Sequence, residues 1–105
     1  MSEYCVVLTT LGNEEDATRI INNILDCKLA ACMQTMNIDS HYTWAGEVCH
    51  DHEVLVLFKT CWAFYEELES KLKEIHPYDT PEIIAIDIEQ GFKGYLDWID
   101  SVTKK

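Results

Sequence analysis

The sequence predicts an α+β fold of the ferredoxin-like βαββαβ kind, with a long hairpin between its second and third strands and a short final helix. Three observations predict it. The hydrophobic pattern runs strand, helix, strand, strand, helix, strand, helix. Three of those strands are apolar on both faces, as in strands covered from two sides. The 105 residues leave no chain for a second layer of helices. Residues 1–105 therefore read as one domain, and its second apolar face calls for another copy of the chain.

Tyr4 to Thr10 is the first strand, with Tyr4, Val6 and Leu8 on one face and Cys5 and Val7 on the other. Leu11-Gly12-Asn13 breaks it. Asn13 is a helix N-cap, followed by Glu14, Glu15 and Asp16, whose charges suit a helix N-terminus. Ala17, Ile20, Ile21, Ile24 and Leu25 keep helical spacing, and the helix is expected to end near Lys28. Leu29 to Thr43 mixes apolar Ala30, Ala31, Cys32 and Met33 with polar Thr35, Asn37, Asp39 and Ser40, and predicts a long strand with a bulged middle. Ala45-Gly46 is a tight turn, and Glu47 to Lys59 returns as a second long strand.

Thr60 is expected to cap a second helix, with Phe64, Tyr65, Leu68, Leu72 and Ile75 as its buried stripe. Next comes His76-Pro77-Tyr78-Asp79-Thr80-Pro81-Glu82, which holds both prolines of the chain. Each proline stiffens its own backbone and biases the residue before it away from helix. Ile83 to Ile88 is the last strand and Gly91 ends it. Phe92, Tyr95, Leu96, Trp98, Ile99 and Val102 predict a terminal helix, with Lys104-Lys105 suited to its C-terminal dipole.

Acids outnumber bases 19 to 8, for a net charge of −11. That field repels phosphate backbones and anionic lipid, so neither nucleic acid nor a membrane is an expected partner. Cations are attracted, though without selectivity. No apolar run approaches the ~20 residues that span a bilayer, and Met1-Ser2-Glu3 lacks the basic start of a signal peptide. The five cysteines are odd in number and contain no C-x-x-C. This usage predicts reduced thiols and a cytoplasmic location.

Two places carry candidate chemistry. In the proline-bounded stretch, His76 is either a metal ligand or a group that closes the preceding helix end. Tyr78 and Glu82 either line a cleft or brace the turn. Lys59 shares face parity with Glu53, which suggests an ion pair. The second place is the hairpin. A two-residue turn pairs Trp44 with Glu47, hence His41 with His50, and puts His52 on the same face as a zinc or copper cluster. A turn with a glycine bulge sets His41 opposite Cys49 instead, and avoids a positive φ at Ala45. The alternative to a cluster is an exposed polar arm. No nucleophile–base spacing and no glycine-rich phosphate loop is found, so a non-enzymatic protein is expected.

Several segments together resemble one family, the CutA divalent-cation tolerance proteins. They are Val6-Val7-Leu8-Thr9-Thr10, Leu29-Ala30-Ala31-Cys32, Tyr42-Thr43-Trp44-Ala45-Gly46, Glu53, Lys59-Thr60, His76 to Ile84, and Tyr95-Leu96-Asp97-Trp98-Ile99. The H-P-Y-x-x-P-E segment with a later Y-L-x-W is the most specific part. The resemblance implies a homotrimer akin to PII signalling proteins, with intersubunit clefts in which Trp44, Lys59, Tyr78 and Glu82 are the expected residues. It implies association with copper or another divalent cation, and a PII-like small-ligand module is the alternative. Some bacterial relatives have a cysteine at the position of Thr9 and a histidine at that of Ile75. With the histidine of H-P-Y those form a proposed copper site, and of the three only His76 is present here.

Overall fold

A computed structural model describes residues 1–104. Four antiparallel strands, β1 (Tyr4–Leu11), β2 (Cys32–Trp44), β3 (Glu47–Cys61) and β4 (Ile84–Asp87), form one sheet in the order β2-β3-β1-β4. Helices α1 (Glu14–Cys27) and α2 (Tyr65–Ile75) connect them, and α3 (Lys93–Val102) follows β4. This is the expected α+β architecture. No helix is long and apolar enough to cross a membrane among the described residues.

The core lies between one face of the sheet and the first two helices. Cys5, Val7, Val56 and Phe58 are fully buried there against Ile20 and Ile24 of α1 and Leu68 and Leu72 of α2. Helix α1 begins where the chain chemistry asks it to: Asn13 Oδ1 accepts the Asp16 N–H at 2.8 Å. It stops at Lys28, which takes the left-handed conformation, φ 57°. Leu25, expected on the buried stripe, is 47% exposed because it falls at the margin of that stripe, beside buried Ile24.

The other face is left open along much of its length. Val6 and Leu8 of β1 and Leu55 and Leu57 of β3 are only half-buried, and Met36, Ile84 and Ile86 are exposed. Helix α3 covers one end: Cys61 Sγ lies 3.8 Å from Thr103 Oγ1, and the Lys59 ammonium sits 5.4 Å from the Tyr95 ring centroid.

Several local expectations are corrected. Strand β2 begins at Cys32 and pairs with β3 without a break from Cys32–Lys59 to Trp44–Glu47, so its middle is not bulged. Its polar residues reflect an edge strand in water. The turn has two residues, with Ala45 at φ 53° and Gly46 at φ 80°, so His41 faces His50 and not Cys49. The backbone cost at alanine is smaller than the loss of a continuous ladder. Thr60 does not cap α2. It stays in β3, where its hydroxyl donates to Leu29 O at 2.7 Å, and a 3₁₀ turn at Trp62–Phe64 precedes the helix. Strand β1 runs on to Leu11, whereas β4 is confined to Ile84–Asp87.

The hairpin becomes an arm. Only Val54 to Cys61 of β3 pair with β1, so Glu47 to Glu53 are paired with β2 alone. The molecule is accordingly elongated, 44 × 26 × 22 Å. Lys105 lies outside the described residues. Lys104 ties the end of the chain down instead of serving α3 alone: its N–H donates to Lys28 O at 2.7 Å and its ammonium meets Glu67 at 2.6 Å.

Candidate functional site

The proline-bounded stretch returns the chain from α2 to β4, and His76 fastens it. The His76 backbone N–H closes α2 on Leu72 O at 2.8 Å. The ring is buried. Its Nε2 lies 3.0 Å from Thr10 O, and its Nδ1 accepts the Tyr78 N–H at 3.1 Å. An acceptor at Nδ1 requires the proton on Nε2, which therefore donates to the carbonyl. Burial lowers the His76 pKa below the ordinary histidine value, although the Thr10 carbonyl favours the charged ring.

Tyr78 makes the next link. Its hydroxyl donates to Glu53 Oε2 at 2.8 Å, and burial together with that bond raises its pKa well above the usual tyrosine range. Between this loop, Thr10 at the end of β1 and the root of the hairpin arm is a cleft of about 610 Å³. Trp44, Tyr42, Tyr78 and Thr80 line it along with four carboxylates, Asp51, Glu53, Asp79 and Glu82, and no lysine or arginine is among its lining residues. Tyr42 donates to the Asp51 carboxylate, and its pKa is pushed up to about 12, chiefly by that bond. Burial, then the charge of Glu53, raises the Glu82 carboxyl. The cleft is thus an oxygen-rich, negatively charged trough with aromatic walls, whose field draws cations in general.

Of the expected cleft residues, Trp44, Tyr78 and Glu82 come together. Within one chain Lys59 lies six residues along β3 from Glu53, toward α3, and does not line the cleft. Tyr42, Asp51 and Asp79 were not anticipated. The two-residue turn was the available signal for Asp51, since it sets Ser40 opposite Asp51 and so puts Tyr42 on the same face, one step away.

The copper positions implied by the family resemblance do not form a soft-metal donor set here. Thr9 presents a buried hydroxyl with no hydrogen-bond partner among the described residues, Ile75 presents hydrocarbon, and both nitrogens of His76 are engaged. On the hairpin, His41 and His50 stack with centroids 4.2 Å apart and planes 6° apart. His52 Nδ1 lies 2.7 Å from Asp39 Oδ1, and His50 Nε2 lies 3.5 Å from the same oxygen. Among the described residues, no group of three or more His, Cys, Asp or Glu side chains is placed so that it could hold a metal ion.

Residues 5–102 match the family model for the CutA1 divalent ion tolerance protein. The divalent-cation tolerance protein CutA of Thermus thermophilus is 41% identical over 90% of this chain and 92% of its own. The crystal structure of CutA1 from Pyrococcus horikoshii superposes with a TM-score of 0.93 at 36% identity, covering 96% of this chain and 99% of that one. The periplasmic divalent cation tolerance protein CutA from Archaeoglobus fulgidus gives the same TM-score, 0.93, at 36% identity over 96% and 99% of the two chains.

Proposed function

This chain belongs to the CutA1 divalent ion tolerance family, and from that premise we propose a non-enzymatic, cytoplasmic homotrimer that binds divalent cations in the cleft beneath the hairpin arm. The cleft carries the reading: Asp51, Glu53, Asp79 and Glu82 line one trough in which His41 is the one basic side chain and no lysine or arginine takes part. Oxygen donors of this kind favour hard divalent ions such as manganese or calcium. Copper, a softer ion, belongs with imidazole. At His76 it would have to take Nδ1 from the Tyr78 N–H.

The trimer reading is supported by the open sheet face. Met36 and Ile86, each 56% exposed, and Ile84, 50% exposed, form an apolar surface with Leu8 and Leu57 that another copy of the chain would cover. The cytoplasmic reading is supported by five free thiols.

A second reading is favoured by Trp44, Tyr42 and Tyr78. Aromatic walls beside carboxylates also suit a small organic cation, which would make the protein a PII-like small-ligand-binding module. Manganese binding followed by the loss of its free-ion electron paramagnetic signal separates the two. Uptake that is removed in the Glu53→Gln/Glu82→Gln variant supports the cation reading. Absence of uptake, with thermal stabilisation by an organic amine, favours the second.

A further inference from the structure

A single chain of contacts runs from a buried imidazole to a carboxylate of the cleft. The His76 ring, 8% exposed, has Nε2 on Thr10 O at 3.0 Å and accepts the Tyr78 N–H at Nδ1 over 3.1 Å. The His76 and Tyr78 rings lie 4.8 Å apart, tilted by 55°. Tyr78 in turn donates its hydroxyl to Glu53 Oε2 at 2.8 Å. Glu53 and Tyr78 line the cleft, and His76 stands behind them, outside its lining.

Only the neutral ring can hold both of its contacts. An imidazolium carries N–H groups at both nitrogens and accepts at neither. A proton on Nδ1 keeps the bond to Thr10 O and sets two donors against each other at Tyr78. The helix bond of His76 N–H to Leu72 O and the fixed φ of Pro77 leave little room on the His76 side, so the adjustment falls on Tyr78, which is 37% exposed. Charged groups face the ring from two elements, Asp16 and Arg19 of α1 and Glu53 of β3. Burial keeps the proton off until below the ordinary histidine range, and the Arg19 guanidinium, bonded to Ile75 O at 3.1 Å, acts in the same direction. The Thr10 carbonyl, Asp16 and Glu53 act against it without reversing it.

We propose that His76 is a proton-operated latch on the cleft: the neutral ring holds Tyr78, and through it Glu53, in place, and the protonated ring releases them. His76 is a positioning residue in this role, since it acts on the cleft only through Tyr78. The latch itself is independent of what the cleft holds. Its consequence rests on the reading of the cleft as a cation site: affinity for a divalent cation falls in mild acid by more than proton competition at the carboxylates alone produces.

The latch is read first without metal, by nuclear magnetic resonance of the full-length chain titrated from about pH 7.5 to about pH 5. The His76 ring, the Tyr78 amide and the Glu53 carboxyl carbon are expected to move with one common midpoint while the chain stays folded. A Tyr78 amide that stays still as His76 titrates overturns the proposal, and so does unfolding before His76 takes up its proton. In His76→Asn the amide oxygen can accept the Tyr78 N–H but binds no proton, so the Tyr78 transition is expected to vanish; its persistence assigns it to another group and overturns the latch. Manganese titrated at both ends of the pH range reads the consequence. The wild type is expected to lose at least ~10-fold more affinity than His76→Asn. Equal losses overturn the coupling to cation binding. Coupled motion of His76, Tyr78 and Glu53 with no manganese bound at either pH supports the latch and contradicts the cation reading alone.

Discussion

The hydroxyl of Tyr78 donates to Glu53 Oε2 at 2.8 Å, joining residues 25 positions apart. One residue belongs to the loop after α2 and the other to the root of the hairpin arm. The bond therefore fixes the width of the cleft between them. Tyr78→Phe removes it and leaves the ring in place. The expected cost is ~0.5–1.5 kcal/mol in urea denaturation, toward the lower figure because the pair reaches solvent. The same variant should weaken manganese binding by releasing Glu53 from its orientation. Unchanged stability and unchanged binding would show that the bond does not set the cleft.

His76 gives a pH dependence with a definite sign. Its folded pKa is lowered by burial, below the 6.5 of a free histidine. The unfolded chain then takes up a proton first as pH falls. The contribution is fully present above about pH 6.5 and is lost as pH drops through the folded pKa. One such group limits the slope to ~1.4 kcal/mol per pH unit. Unfolding free energies between pH 7.5 and 5 should show this slope in the wild type and lose it in His76→Gln. An identical slope in both proteins would assign it to other groups.

Ala45 occupies the left-handed region at φ 53° in a turn whose partner is Gly46 at φ 80°. A Cβ there costs ~1–2 kcal/mol, part of which glycine returns as unfolded-state entropy. Ala45→Gly should therefore raise stability by ~0.5–1 kcal/mol. It should not alter the cleft. A loss of stability, measured by thermal unfolding, would mean the turn is not held in this conformation.

The open face makes a prediction about mass. Ile86 is 56% exposed in the single chain and lies beside Ile84. A carboxylate placed there would be buried without a partner in a trimer, at a cost of several kcal/mol, but would be harmless in a monomer. Sedimentation equilibrium should give three times the 12.1 kDa chain mass for the wild type and a lower mass for Ile86→Asp. A wild-type mass of one chain would remove the trimer reading.

Much of this architecture was legible because hydrophobic spacing reports burial directly. Asn13 and Lys28 bound α1 as anticipated, and Leu68 and Leu72 bury the face that their spacing gave to α2. The two-faced strands also marked the open surface at Ile84 and Ile86. What spacing reported less well was the polar edge. Thr35, Asn37 and Asp39 looked like an interruption, whereas an edge strand keeps its ladder regardless of side-chain polarity. Thr60 looked like a cap because a threonine oxygen can accept a backbone N–H at a helix start, whereas here its hydroxyl donates to Leu29 O, 31 residues away.

The cleft was half legible for a related reason. Trp44, Tyr78 and Glu82 stand in recognisable segments, but Asp51 enters only once the register is known. Register here rested on a single choice at Ala45, between a strained two-residue turn and a bulge. The same choice determined whether His41 would meet His50 or Cys49. Lys59 was placed near Glu53 by face parity alone, and parity carries no information on distance along a strand.

Manganese uptake by the assembled protein tests the central claim most directly. One ion per chain in the wild type is expected, with affinity at least ~10-fold lower in Glu53→Gln/Glu82→Gln. Equal uptake by both proteins, or none by the wild type, would contradict cation binding in the cleft.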